Sequence, residues 1–389
     1  MLSPYTEEHD LFRKTVRKFA EEELAPHADA WEKDELFPNW VFQRAGELGL
    51  LGAHYPEDVG GAGGDYWYSV AKSEELVRCE AAGVTMGLLV QSDMATPCIN
   101  ELGTREQKEE FLRPAVEGRK VAALGVSEPG AGSDVAGIRT TARRVGNEYV
   151  IDGAKTYITN GTRADFVTLL VKTDPDGGYN GISILLFPTD VPGYSVSKKL
   201  TKIGNHASDT AELFFDGCRV PTRYLLGEEN RGFYYLMQNF QSERLIGATS
   251  ALAGAHRALE RSIVWGRERQ AFGKPLIARE VWKHKFADLY TKYEAGRALC
   301  YDTTAAFNQE RYVDQSEISF ETVKKIAMCK LFVGDVANEI VDTCLQFHGG
   351  MGYLEELWVA RAWRDQRLFR IGGGTSEVMK YMIAKIMGW

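Results

Sequence analysis

The stretch FVTLLVKTDPDGGYNGISILLF, residues 166–187, has two runs of β-branched and large apolar residues on either side of a segment rich in Asp, Pro and Gly. This pattern predicts two antiparallel strands joined by a turn. Similar short runs occur at Tyr149-Val-Ile151 and Ala211-Glu-Leu-Phe-Phe215. No helical pattern alternates with these runs, so a parallel βαβ sheet is not expected. We therefore predict an antiparallel β-domain over residues 121–228.

The sequences on both sides of the β-domain have helical periodicity instead. Thr6 is a candidate N-cap for a helix whose apolar face includes Val16 and Phe19. Leu252 and Leu259 belong to the apolar positions that recur at helical intervals towards the C-terminus. The predicted class is α+β, with an all-helical N-terminal domain over residues 1–120 and a helical bundle over residues 229–389.

Composition excludes several classes of protein. The 389 residues include 46 Lys and Arg against 54 Asp and Glu, a net charge of −8, which gives no general attraction for nucleic acid. The six cysteines occur singly, which argues against a zinc site or a disulfide framework and leads us to expect no metal. No apolar run reaches the roughly 18 residues of a membrane span. Because the residues after Met1 are too acidic for a leader peptide, we expect a cytoplasmic protein or a processed protein of the mitochondrial matrix.

A glycine-rich motif, Glu128-Pro-Gly-Ala-Gly-Ser-Asp134, could be mistaken for a nucleotide-binding loop. It is not followed by Lys-Ser/Thr or by a helix, so neither a P-loop nor a Rossmann fingerprint is predicted. Its glycines would let backbone N–H groups approach a ligand, and Ser127 and Ser133 add hydroxyl groups. A plain turn between strands explains the same residues equally well.

Glu243 lies on a helix predicted to begin near residue 235, and its neighbours on one face are Phe240, Ile246 and Gly247. A carboxylate on such a face is either held in a buried salt bridge or lines a cavity, where it can act as a general base. From these residues alone, the salt bridge is favoured.

Three further glycine-containing segments lie at predicted helix ends. Arg269-Gln-Ala-Phe-Gly-Lys274 is either a solvated helix terminus or a corner that contacts a phosphate. Ile371-Gly-Gly-Gly-Thr-Ser376 leads into a helix, as a simple N-cap or as a site for an anion or polar ligand. His348-Gly-Gly-Met-Gly352 is typical of a helix C-terminus.

Taken in order along nearly the whole chain, these segments resemble the acyl-CoA dehydrogenase family of flavoproteins. The motifs that carry the resemblance are Val126-Ser-Glu-Pro-Gly-Ala-Gly-Ser-Asp134, Tyr157-Ile-Thr-Asn-Gly161, Ala207-Ser-Asp-Thr210, Arg267-Glu-Arg-Gln-Ala-Phe-Gly-Lys274, Gln346-Phe-His-Gly-Gly350 and Gly373-Gly-Thr-Ser-Glu377. The fold of that family, a helical domain, a β-domain and a helical bundle, agrees with the architecture predicted above.

The resemblance implies an FAD site. The residues implied to line the flavin are Ser127, Ser133, Tyr157 and Thr159, the last of them near flavin N5. Those implied to contact the pyrophosphate and adenosine, partly across a subunit boundary, are Arg269, Phe272, Gln346 and Gly350, with Thr375 and Glu377 completing the site. This sharing implies a homotetramer built from two dimers.

The implied position of the catalytic base is unusual. Many family members carry a glutamate immediately before the Gly-Thr of the last motif, where this chain has Gly373. The long-chain and isovaleryl branches instead carry it in a Glu-Arg pair on an earlier helix, which Glu243-Arg244 match. The resemblance therefore implies Glu243 as the base and the Gly373 N–H as a donor to the thioester oxygen, aided by a flavin ribityl hydroxyl. The substrate contacts that it implies are Ser133, Arg244, Gly372 and Gly373.

The implied reaction is the oxidation of an acyl-CoA to the trans-2-enoyl-CoA, in which Glu243 removes the α-proton and flavin N5 receives the β-hydride. Gly372 and Gly373 replace bulkier residues, which leaves room for a medium-to-long straight chain and equally for a branched, isovaleryl-like group. The resemblance of Gly373-Gly-Thr-Ser-Glu-Val-Met-Lys380 to the long-chain branch favours the straight chain. Electron-transferring flavoprotein is implied as the electron acceptor. The remaining alternatives are an acyl-CoA oxidase or flavin monooxygenase of the same fold, and a non-catalytic acyl-CoA-binding scaffold.

Overall fold

The computed structural model of the chain describes residues 4–389. Its N-terminal helices are α1 Glu7–Lys18, α2 Ala28–Asp34, α3 Trp40–Glu47, α4 Tyr66–Leu76, α5 Ala82–Leu89, α6 Pro97–Leu102, α7 Arg105–Gln107 and α8 Arg113–Val116. Helix α1 begins after Thr6, whose hydroxyl accepts a hydrogen bond from the His9 N–H, so the predicted N-cap is confirmed. Met1 to Ser3, the first part of the segment used to argue against a leader peptide, lie outside the described residues.

A large sheet follows the helices. Its strands are β1 Ala122–Gly125, β2 Thr141–Val145, β3 Glu148–Thr159, β4 Phe166–Lys172, β5 Ile182–Pro188, β6 Tyr194–Lys199, β7 Thr210–Pro221 and β8 Leu225–Leu226. They lie in the order β6-β7-β3-β2-β4-β5-β8, with β1 beside β4. The stretch 166–187 forms the antiparallel pair β4 and β5, as predicted.

The sheet is mainly antiparallel, as predicted, but departs from that prediction at two pairings, both with β4. Strand β1 runs parallel to β4, from Ala122 opposite Phe166 to Gly125 opposite Leu169, and β2 makes one parallel pairing with β4. The connection from β1 to β4 contains the β2–β3 hairpin instead of a helix. The helix that usually indicates parallel pairing in a sequence is therefore missing.

The C-terminal part is a helical bundle. Its helices are α9 Gly232–Glu268, α10 Glu280–Asn308, α11 Phe320–His348, α12 Trp358–Gln366 and α13 Ser376–Met387, and a small hairpin of β9 Gln270–Ala271 and β10 Lys274–Pro275 follows α9. Wider π-helical segments occur at Phe19–Leu24, Val90–Ala95, Lys108–Leu112 and Gln309–Val313. The predicted order of helical part, sheet and helical bundle is confirmed.

Helix α9 connects the sheet to the bundle and also packs on the N-terminal helices. Tyr66, at the start of α4, donates its hydroxyl to the Ser242 carbonyl at 2.9 Å. Further along the same two helices, the hydroxyls of Ser73 and Thr249 are 3.0 Å apart. The middle of α9 is therefore fixed at the junction between the two helical parts.

Three observations concern the whole described chain. Within residues 4–389, every helix is too short or too polar to cross a membrane. All six cysteines are buried free thiols. The described residues contain no group of three or more His, Cys, Asp or Glu side chains placed to hold a metal ion.

Candidate active site

Glu243 lies in the part of α9 that is fixed at this junction. Its side chain is half-buried, and its Oε2 atom is shielded from solvent and has no hydrogen-bond partner. Neither Arg244 nor any other cation within residues 4–389 forms a salt bridge with it. The salt bridge favoured from the local residues is therefore absent from the described chain, and the carboxyl is left unpaired.

The surroundings of Glu243 change its acidity. Burial raises the pKa of Glu243 to about 7, and the positive charges of Arg244 and Lys330 oppose this rise. A carboxyl whose pKa lies near neutrality is suited to accept a proton at physiological pH.

The glycine turn before α13 lies against Glu243. Gly373 and Gly374 have φ values of 67° and 99°, in the region that favours glycine. A β-carbon on Gly373 would lie 3.6 Å from Glu243 Oε1. Within residues 4–389 the Gly373 N–H donates no hydrogen bond. The turn therefore brings an unpaired N–H close to an unpaired carboxyl.

Arg244 reaches the same turn as Glu243, although consecutive helical residues point about 100° apart. Arg244 Nε donates a 3.0 Å hydrogen bond to Gly373 O, and its Nη1 is buried without a partner. At the end of the turn, the Thr375 hydroxyl caps α13 by accepting from the Val378 N–H. The two interactions hold the turn in place.

On the β-domain side, a buried ion pair holds the loop 127–134. Lys155 Nζ donates to Glu128 Oε1 at 2.8 Å. Burial lowers the pKa of Lys155 to about 8. Burial alone would raise the pKa of Glu128, but the charge of Lys155 and the hydrogen bonds to the carboxylate outweigh it and lower that pKa. The Glu128 backbone also pairs with Ala131, so this is a β-turn loop, as predicted, and it leaves Ser133 exposed.

Strand β3 bulges beside this loop, where its register against β7 shifts after Lys155. The Thr156 N–H donates to Ser127 O at 2.9 Å, which joins the bulge to the loop. Tyr157 has a φ of 63°, and its side chain is 70% exposed, while Thr159 is half-buried. The bulge therefore turns an aromatic ring out of the core next to Ser127.

A second exposed group lies at the far end of α9. The β9–β10 hairpin places Phe272 at its tip, 96% exposed and with a φ of 52°. The guanidinium of Arg279 donates to Phe272 O at 3.0 Å and so supports this tip. Arg269 precedes the hairpin, while Gln346 and Gly350 lie at the end of α11, and all three are exposed.

The structure thus places the predicted site residues in separate groups. The first lies on the β-domain and consists of Ser127, Ser133, Tyr157 and Thr159, and the second lies at the ends of α9 and α11 and consists of Arg269, Phe272, Gln346 and Gly350. The ends of α9 and α11 touch, because a β-carbon on Gly266 would lie 2.5 Å from the Phe347 ring. No hydrogen bond, ion pair or ring contact within residues 4–389 connects this end of the bundle with the loop 127–134 or the β3 bulge. Glu377 is exposed in the first turn of α13, and Gly372 is exposed before it.

Two residues near Glu243 were not identified from the sequence. Lys330 on α11 is 1% exposed and donates to Phe369 O at 2.6 Å. The sequence does contain a signal for Lys330, because this lysine shares a helix face with the apolar residues Ile326 and Val333, which predicts its burial. Lysine is seldom buried without a partner, so such a position indicates a special role. Phe369 had no such signal, since only the folded turn brings it to α11.

Comparison with protein families gives matches along the length of the chain. The family description "Acyl-CoA dehydrogenase, N-terminal domain" matches residues 6–119, the corresponding middle domain matches 123–218, and the C-terminal domain matches 230–388. Among curated relatives, the long-chain specific mitochondrial acyl-CoA dehydrogenase of Rattus norvegicus is 38% identical over 383 residues, 98% of this chain and 86% of the relative. The short-chain specific mitochondrial enzyme of the same species is 36% identical over 379 residues, 97% of this chain and 89% of the relative.

Solved structures give the same result. The acyl-CoA dehydrogenase of Geobacillus kaustophilus superimposes with a TM-score of 0.93 at 37% identity, covering 100% of both chains. A glutaryl-CoA dehydrogenase of Mycobacterium smegmatis, solved in complex with FADH2, superimposes with a TM-score of 0.90 at 28% identity, covering 98% of this chain and 95% of that one.

Proposed function

The chain belongs to the acyl-CoA dehydrogenase family, and we propose that it oxidises a medium-to-long-chain acyl-CoA to the trans-2-enoyl-CoA with Glu243 as the proton acceptor. Membership of the family makes it an oxidoreductase that acts on acyl-CoA. The observation that carries the proposal is the unpaired Glu243 carboxyl, which lies against the turn of Gly373.

FAD is the cofactor, and the exposed groups around the site fit it. Tyr157 and Phe272 offer largely uncovered aromatic rings, which suit a flat ring system. Among the residues that the structure describes, none has an atom within 4 Å of a β-carbon built on Gly130 or Gly132, so the backbone of that loop is open to a ligand. When bound, FAD supplies the two-electron oxidation by taking up the hydride of the β-carbon.

The proposed FAD contacts come from both exposed groups. The residues that would hold the flavin are Ser127, Ser133, Tyr157 and Thr159, and those that would hold the rest of the cofactor are Arg269, Phe272, Gln346, Gly350, Thr375 and Glu377. Within residues 4–389 no hydrogen bond, ion pair or ring contact joins the two groups, which supports sharing of the cofactor between neighbouring chains, and we expect the homotetramer that the resemblance implies. We expect electron-transferring flavoprotein to accept the electrons.

The chain's own residues make the proton transfer possible. The α-hydrogen of a thioester is a very weak acid, and charge develops on the thioester oxygen as the proton leaves. The Gly373 N–H can donate to that oxygen, and one such donor contributes about 3 kcal/mol. Arg244 fixes the peptide that follows this N–H through its bond to Gly373 O. Glu243 then takes the proton, and burial gives its carboxyl the basicity that the step requires.

Space near the reacting carbons bears on the proposed chain length. The atoms nearest to a β-carbon on Gly372 would be those of Leu368, from 3.7 Å, and the atom nearest to one on Gly373 would be Glu243 Oε1, at 3.6 Å. Glycines at these two positions therefore leave room beside the carboxyl. This room accommodates a straight or a methyl-branched chain, and the similarity of residues 373–380 to the long-chain branch supports the straight one.

An anaerobic titration of the holoenzyme with straight-chain and isovaleryl acyl-CoAs tests the proposal, with flavin bleaching as the readout. We expect bleaching with medium and long straight chains, and its loss by at least about a hundredfold in Glu243→Gln. Glu260→Gln, an exposed position on the same helix, is the matched control and should bleach normally. Undiminished bleaching in Glu243→Gln would reject the assignment of the base, and bleaching with isovaleryl-CoA alone would reject the substrate.

A further inference from the structure

Lys330 is close enough for its charge to act on the Glu243 carboxyl, yet no step of the proposed reaction uses it. It is 1% exposed in the middle of α11, and its Nζ donates to Phe369 O at 2.6 Å. No carboxylate within residues 4–389 forms a salt bridge with it. Burying an ammonium group without a carboxylate partner is costly, so its position calls for a role in the site.

The residue that Lys330 holds anchors the glycine turn. Lys330 Nζ lies 5.1 Å from the centre of the Phe369 ring. A β-carbon on Gly247 of α9 would lie 3.0 Å from this ring, and one on Gly334 of α11 would lie 3.8 Å from it. Two glycines thus make room for the ring between α9 and α11. Phe369 is thereby fixed four residues before Gly373.

Two buried cations therefore hold the two ends of one turn. Lys330 binds the carbonyl of Phe369, and Arg244 binds the carbonyl of Gly373. Hydrogen bonds from charged donors are stronger than neutral ones. The segment that carries the proposed N–H donor is consequently held from α11 at its start and from α9 at its end.

The charged groups around the carboxyl come from several elements. Arg244 on α9 and Lys330 on α11 both favour its ionised form. Cys98 on α6 also lies close enough to sense the carboxyl, and burial, together with nearby acidic charge, raises the pKa of that thiol. Burial and the charge of Arg244 lower the pKa of Lys330 to about 8, while the carboxylates of Glu377, Asp335 and Glu243 oppose this effect.

We propose that Lys330 is a positioning residue for this reaction: together with Arg244 it fixes the turn from Phe369 to Gly373, and its positive charge favours the ionised form of the Glu243 carboxyl. The inference rests on the proposed function, because it assigns Lys330 to act through Glu243 and the Gly373 N–H. A purely structural lysine would stabilise the fold without influencing the protonation of the carboxyl.

The test compares Lys330→Met with Lys330→Arg, which keeps the charge. The control is Lys325→Met on the same helix, where a half-buried lysine pairs with Asp302 at 2.7 Å. The first readout is the pH dependence of the anaerobic bleaching rate in the holoenzyme. Removing a cation that favours the ionised base should move the acid limb of this profile to higher pH by roughly one unit. In Lys330→Arg and Lys325→Met, the acid limb should stay at the pH found for the unaltered protein.

The second readout is hydrogen exchange of the backbone amides of residues 369–374 in the substrate-free holoenzyme. We expect exchange to become at least several-fold faster in Lys330→Met and to stay unchanged in Lys325→Met. If either readout keeps the value of the unaltered protein in Lys330→Met, the inference is overturned. It is also overturned if Lys330→Arg shifts the acid limb as far as Lys330→Met does.

Two further comparisons cover a Lys330→Met variant that does not fold and a failure of the proposed function itself. If Lys330→Met does not fold as a holoenzyme, Lys330→Gln, which keeps a donor and loses the charge, takes its place for the first readout with the same expected shift of the acid limb. If Glu243→Gln still bleaches the flavin, the proposed function fails whatever Lys330 does. If Glu243→Gln is inactive while the acid limb of Lys330→Met is unmoved, only the inference about Lys330 fails.

Discussion

Glu243 Oε1 lies 3.6 Å from the point that a β-carbon on Gly373 would occupy. The two residues come from different elements of the bundle, the long helix α9 and the turn before α13. Because no cation among residues 4–389 forms a salt bridge with the carboxyl, its protonation and its surroundings can be changed without breaking such a pair. Both residues are therefore open to direct experimental tests.

The rate of flavin reduction in the unaltered protein should depend on pH through Glu243. Burial raises the pKa of this carboxyl to about 7, and only the ionised form can accept the α-proton. The rate should therefore fall about tenfold per pH unit below neutrality and level off above it. Anaerobic stopped-flow bleaching across this range measures the profile. An acid limb near the ordinary pKa of a glutamate would contradict the prediction.

Replacing Glu243 by Gln should stabilise the substrate-free protein at about pH 8 and change little at about pH 5. The folded-state pKa is raised from 4.5 to about 7, so the folded state loses stability as the pH rises between these values. The raised pKa sets an upper limit of about 3 kcal/mol for this loss. Glutamine, which stays neutral, avoids it. Thermal unfolding of the variant and of Glu260→Gln at both pH values provides the check, and a destabilised Glu243→Gln at the higher pH would refute it.

Replacing Lys155 by Met should destabilise the protein by about 3–5 kcal/mol, because the buried Glu128 carboxylate loses its cation. The loop 127–134 should loosen as well, and FAD should be released more easily. Urea unfolding and FAD retention on dilution measure the two effects. The double variant Lys155→Met/Glu128→Gln removes the unpaired charge and should recover most of the stability. A double variant no better than Lys155→Met would argue against this cause.

Alanine at Gly374 should harm folding more than alanine at Gly373. Gly374 has a φ of 99°, and a β-carbon there would lie 2.8 Å from Met379 Cε. Such strain costs about 1–3 kcal/mol. Gly373 has a φ of 67°, where an alanine costs about 1–2 kcal/mol, but its methyl group would stand beside Glu243. Gly373→Ala should therefore slow flavin bleaching markedly, while its melting temperature falls less than that of Gly374→Ala. Melting temperatures and bleaching rates of both variants test this order, and the reverse order would refute it.

Replacing Phe272 by Ala should leave the unfolding free energy of the FAD-free chain within about 0.5 kcal/mol, since the ring is 96% exposed. FAD retention should nevertheless fall, because the ring is proposed to contact the cofactor. Phe320→Ala, at an 80% exposed position on α11, is the control and should retain FAD. Equal retention in both variants would remove Phe272 from the site.

Local sequence signals predicted much of the architecture. The two apolar runs of residues 166–187 became β4 and β5, and Thr6 and Thr375 cap the helices that follow them. These features depend on residues a few positions apart, so their physical causes are contained in short segments. The parallel pairing of β1 with β4 was missed because the intervening hairpin carries no signal of strand direction.

The arrangement around Glu243 depended on contacts between distant segments. The residues next to Glu243 in the sequence favoured a salt bridge, and only the resemblance to the family implied a base, since a residue's neighbours on its own helix do not show what packs against that helix. Only the folded chain leaves Glu243 unpaired, brings Gly373 against it and buries Lys330 behind the turn. The type of each element follows from local backbone and side-chain preferences, whereas the acidity and the partners of a buried group follow from whichever elements the tertiary packing places around it.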